Sequence, residues 1–142
     1  AASAPLAVRF ALIGWVTDED RIEGLCERLR VPNDERDLAR LAARLRDALR
    51  GAADAGADGL LALLKASDAF RRPARFEELL QVLCLAEPGP LAQRSRARLA
   101  TALQAAGAVD AGAIARAASR PEDIAARLDR ARSDAIAAAV VA

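Results

Sequence analysis

The chain has no histidine, no methionine and no tyrosine, a single tryptophan and a single lysine. Each shortage excludes something. Without histidine there is no imidazole to serve as a general base near neutral pH or to ligate a transition metal. With three phenylalanines and one tryptophan, platforms for stacking single-stranded bases are scarce. Cys26 and Cys84 lie in no CxxC or Cys/His pattern and read as free thiols on apolar helix faces in a reducing cytoplasm. β-Branched residues are few and nothing alternates apolar with polar, so half-buried strands are excluded. Apolar runs such as Ala135–Ala142 fall far short of the roughly 20 residues a membrane helix needs. No repeat of fixed period marks a solenoid. No glycine-rich loop follows a strand, and Ser3, Ser67, Ser95, Ser119 and Ser133 have no activating partner in sight. A net charge of +1 is not the broad basic excess of many nucleic-acid binders, so any contact with RNA must come from a local patch.

What remains is alanine, leucine and arginine, all strong helix formers. At 142 residues the chain makes one domain, or one domain with a helical tail, and buries roughly two thirds of its unfolded surface. The patterns predict a short helix from Pro5 to Ile13, then one capped by Thr17 with Ile22, Leu25, Cys26 and Leu29 as its buried stripe. Pro32 stops it, and Asn33 caps a third helix that turns Leu38, Leu41, Leu45 and Leu49 inward and ends at Gly51. Gly51 to Gly59 reads as a flexible connector, followed by a helix from Leu60 to Ala66 capped by Asp58. Pro73 opens a helix burying Phe76, Leu79, Leu80 and Leu83. Glu87-Pro88-Gly89-Pro90 is the clearest break. Helices at about 91–106, 110–118 and 121–140 follow, the last burying Ile124, Leu128, Ala135 and Ile136. The fold class is all-α, with a bundle over 1–86 and a helical tail over 87–142. Leu25, Leu29, Leu38, Leu41, Leu45, Phe76, Leu79 and Leu80 are expected in one core.

Three stretches carry a family resemblance. LCERLRVPNDERDLARLAARL, from Leu25 to Leu45, closely resembles the LCxRLRVPN…RDLARL signature in the C-terminal half of bacterial CCA-adding tRNA nucleotidyltransferases. DAFRRPARFEEL, from Asp68 to Leu79, is similar to that family's DAxRRPxRxExL segment, and Arg9-Phe10-Ala11-Leu12 sits where the family writes RFAxLxHDLGK. The three occur in family order and the likeness covers nearly the whole chain.

The resemblance implies an HD-domain-like helical bundle whose metallophosphohydrolase site has degenerated. Trp15-Val16 stands in place of the HD pair, and the His-rich loop is shortened to Thr17–Asp20. Arg46 stands where a second HD dipeptide begins, leaving Asp47, and Cys84-Leu85-Ala86 replaces a Glu-Ala-Asp triplet. Arg and Trp do not ligate metal, so the resemblance implies neither metal nor catalytic residues here, with Trp15 filling the former pocket. The GGxxR loop and DxD pair of the family's nucleotidyltransferase head are also missing. Mg²⁺, ATP and CTP would be held by an N-terminal head of the same polypeptide, of which this chain would be a fragment. What the resemblance then implies is a non-catalytic region that supports tRNA binding and positioning for CCA addition or repair.

The candidate contacts are arginines: Arg28, Arg30, Arg36 and Arg40 on the second and third helices, Arg71, Arg72 and Arg75 beside Pro73, and Arg94, Arg96 and Arg98 on the tail. A planar guanidinium suits phosphate. Acids interleave with the first group, so a surface of intrahelical ion pairs such as Asp37–Arg40 is the competing reading, each worth a few tenths of a kcal/mol. The arginine bias alone also follows from a GC-rich genome. The alternative role is a packing or homodimerisation module that touches no RNA.

Overall fold

In the computed structural model, residues 4–140 are described; Ser3 and the last two residues lie outside that range. Among the described residues there are eight α-helices and one 3₁₀ turn, with no strand. The helices are α1 (Leu6–Trp15), α2 (Glu19–Leu29), α3 (Asn33–Gly51), α4 (Ala57–Ala66), α5 (Pro73–Ala86), α6 (Pro90–Gly107), α7 (Ala111–Ala117) and α8 (Ile124–Ala139), the 3₁₀ turn spanning Pro121–Asp123. The last of the expected helices is thus split, with its first turn tightened behind Pro121.

α3 is the central rod. It packs on α1, α2, α5 and α6, and its buried Leu38, Leu41, Leu45 and Leu49 recur at the spacing of one helical face. The approach of α1 is close because Gly14 has no side chain: a Cβ there would run into the Ala39 carbonyl oxygen. Phe76, Leu79, Leu80 and Leu83 of α5 close the same core. The tail is layered on this bundle. α6 packs on α3, α4 and α5, and α8 lies across α4 and α6 with Ile136 fully buried.

Several expectations are corrected. Leu29 is 63% exposed and Leu25 only half-buried. α2 packs on α3 and only lightly on α1, so its buried stripe narrows to Ile22 and Cys26. In α8, Ile124 and Leu128 are half-buried because that part of the helix runs along the outside of α4. The cap of α2 is Asp18, whose carboxylate accepts from the Arg21 amide at 2.8 Å, one residue after Thr17. α3 starts behind Pro32 with Asn33 already helical, and α4 starts behind Gly56, so neither Asn33 nor Asp58 is the cap.

The connector between α3 and α4 is packed rather than loose. Ala52 and Ala53 are fully buried, since alanine is small enough to let this turn lie under α6. Two helix ends use the left-handed conformation without glycine: Arg30 (φ 52°) after α2 and Asp68 (φ 55°) after α4. Both close on a six-residue backbone hydrogen bond, Val31 N–H to Cys26 O and Ala69 N–H to Leu64 O, each 3.0 Å.

Candidate nucleic-acid interface

The structure sorts the ten candidate arginines into three environments. Arg36 and Arg40, with Arg44, form a ladder along α3 that faces Glu19, Glu23 and Glu27 along α2. The helices run antiparallel, so four-residue steps on one match four-residue steps on the other. Arg36 pairs with Glu23 and with Glu27 (3.9 Å), Arg40 with Glu23 (3.0 Å) and Glu19 (3.5 Å), and Arg44 with Glu19 (3.8 Å). These pairs are interhelical, not the intrahelical ones expected from Asp37 and Arg40. The signal was present in the even spacing of the three glutamates.

The tail arginines serve the connector. Arg94 Nε donates to the Ala53 carbonyl at 3.0 Å. Arg98 donates to the carbonyls of Ala52 (3.1 Å), Ala55 and Val140 (3.4 Å). Arg96 points away from them and pairs with Glu77 of α5. Residues 94 and 98, one turn apart, share a face, whereas 96 does not. The most basic window of the sequence therefore does not present three side chains to one ligand.

The third environment is one end of the bundle, where α2 turns into α3 and α4 into α5. Arg28 and Arg30 are exposed there, and neither has an acidic partner among the described residues. Arg71 is 83% exposed and only loosely paired with Asp68 at 3.8 Å. Arg72 reaches Asp34 at 3.9 Å, which ties the two turns together. A groove of about 580 Å³ runs between these turns and the start of α1, lined by Leu6, Asp34, Arg71, Arg72, Pro73 and Arg75 among others. Arg75 lies deeper: Nη2 donates to the Ser67 carbonyl at 3.1 Å. Burial is the main cause that lowers its affinity for a proton, and the nearby positive charges of Arg72 and Arg44 add to it.

At the opposite end, two of the positions expected to replace a metal centre, Trp15 and Arg46, meet. Trp15 is buried, and its indole N–H donates to Glu87 Oε2 at 3.1 Å. Arg46 donates to the carbonyls of Trp15 (2.8 Å) and Thr17 (3.1 Å). Arg50 pairs with Glu87 and sits 5.6 Å from the centre of the indole ring. A ring, two guanidinium groups and one carboxylate thus occupy this junction, while Val16 points to solvent. No group of three or more potential metal ligands occurs among the described residues. Cys26 is a buried free thiol whose pKa burial raises; Cys84, expected to match it, is half-buried and also free. Among the described residues no helix is long and apolar enough to cross a membrane.

The all-α bundle carries the three motifs in family order, and similarity to known proteins puts the chain with the C-terminal region of the CCA-protein class. In particular, it is 46% identical over 129 residues to the multifunctional CCA protein of Burkholderia orbicola, covering 84% of this chain and 30% of that protein. It is 47% identical over 129 residues to the multifunctional CCA protein of Burkholderia cenocepacia, with the same coverage. The chain belongs to this family over its C-terminal region and spans about a third of the length of the curated relatives it matches. No family model matches the chain. No solved structure matches it.

Proposed function

We propose that this chain is the region of a CCA-adding tRNA nucleotidyltransferase that supports tRNA during addition or repair of the 3′ CCA end, without itself carrying catalytic residues. The observation that carries the reading is the 46% identity to the C-terminal region of multifunctional CCA proteins over about 85% of the chain. Nucleotide transfer, with Mg²⁺, ATP and CTP, belongs in this reading to an N-terminal head of the same polypeptide. The contact surface is best sought at Arg28, Arg30, Arg71 and Arg72. Their guanidinium groups are exposed and weakly paired at one end of the bundle, as phosphate contact requires. Arg36, Arg40 and Arg75 border that end, whereas Arg94, Arg96 and Arg98 have partners within the fold.

A second reading, a packing or dimerisation module, is favoured by one observation. Val16, Leu85 and Leu91 are exposed on the elements that meet at Trp15 and Glu87. Binding of labelled tRNA measured across a salt series separates the two. Each lost phosphate contact should reduce the magnitude of the log–log slope by about 0.7–0.9. Replacing Arg28, Arg30, Arg71 and Arg72 together by Ala should therefore flatten it by roughly three units. An unchanged slope with wild-type affinity would transfer the chain to the packing class.

A further inference from the structure

Between α3 and α5 lies a small polar depression of about 230 Å³, lined by Asp37, Arg40, Leu41, Arg44 and Arg75. Residues 37, 40, 41 and 44 form one stripe of α3, and Arg75 reaches in from the first turn of α5. Three guanidinium groups thus share a space with one carboxylate. Glu19 and Glu23 of α2 hold Arg40 and Arg44 from outside that lining, and the pair made by Arg44 is long, at 3.8 Å. Arg75 uses one amino group on the Ser67 carbonyl, and its Nε is shielded from water with no acceptor. Three guanidinium groups lining one depression with a single carboxylate concentrate N–H donors where an anion with several oxygens accepts from them at once.

We infer that Arg40, Arg44 and Arg75 form a binding site for a single phosphate group between α3 and α5. Phosphate fits because its oxygens accept from several guanidinium groups at once. The group belongs either to an RNA backbone or to a small phosphorylated molecule. The site stands on these side chains, and only its RNA source rests on the function proposed above.

The test follows the arginine Nε–Hε signals of the full chain during titration with inorganic phosphate, against sodium chloride at equal ionic strength. The signals of Arg75 and Arg44 should move saturably, while that of Arg127 on α8 should not. Arg44→Gln should weaken phosphate binding by about tenfold, the loss of one charge-assisted contact. Arg44 is half exposed and weakly paired, so the variant keeps the fold; Arg127→Gln should leave binding unchanged. Phosphate shifts at Arg75 and Arg44 no larger than the chloride control, or unaltered phosphate affinity in Arg44→Gln, overturn the site. Competition by tRNA supports the site and identifies a backbone phosphate as its source. Phosphate binding that tRNA does not displace supports the site with a small-molecule source and counts against tRNA contact at this surface.

Discussion

Arginine does several different jobs in this chain, and the neighbouring backbone decides which. Arg98 is the clearest case, since its planar fork meets three carbonyls that no helix satisfies: Ala52 and Ala55 in the connector and Val140 after α8. Lysine could not reach three divergent acceptors from one nitrogen. Arg98→Ala should cost about 2–4 kcal/mol in urea unfolding, because orphaned acceptors lose charge-assisted bonds. Arg98→Lys should recover a minority of that loss. Arg98→Ala should leave the salt slope of tRNA binding unchanged if Arg98 serves the fold. A flattened slope without loss of stability would restore it as a phosphate contact. Its sequence neighbourhood, free of acids from Leu91 to Val109, made Arg98 look available. Its partners are backbone oxygens, which composition does not show.

At the scale of elements, the packing of α1 on α3 depends on one missing side chain. Gly14→Ala would drive a methyl group into the Ala39 carbonyl, and backbone on both sides leaves nothing flexible to yield. The helices must separate or tilt, at a cost of about 1–3 kcal/mol for overpacking of this kind. Chemical denaturation gives the value, and tryptophan fluorescence should shift to the red as Trp15, next in α1, loosens. An unchanged midpoint would mean that α1 sits differently from what the backbone contact requires. The α2–α3 contact rests on complementary ladders instead. Its pairs are partly exposed, so each contributes little alone, and their main effect is to set the register of two antiparallel helices.

For the molecule as a whole, the boundary at Glu87–Pro90 is a turn in the chain more than a division in the structure. α6 lies against α3, α4 and α5, and α8 against α4 and α6, so the tail is packed on the bundle rather than set apart from it. Urea unfolding should therefore show one transition, with coincident midpoints by far-ultraviolet dichroism and by Trp15 fluorescence. Two dichroism steps, only one of them matched by fluorescence, would make residues 87–142 a separate folding unit.

The all-α class, the order of helices and most of the core were determined by the sequence alone, because helix propensity and the spacing of Leu38, Leu41, Leu45, Phe76, Leu79 and Leu80 are local properties. The family motifs were equally legible as strings. Tertiary structure decided which faces had neighbours. It left Leu29 exposed, buried Ala52 and Ala53 in the connector, and made Arg94 and Arg98 hydrogen-bond donors to it. It also brought Arg75 beside Arg40 and Arg44, residues more than thirty positions away in the chain. Helical periodicity fixes the direction of a side chain around its own axis, but its partner depends on how that axis packs against others, which no local pattern encodes.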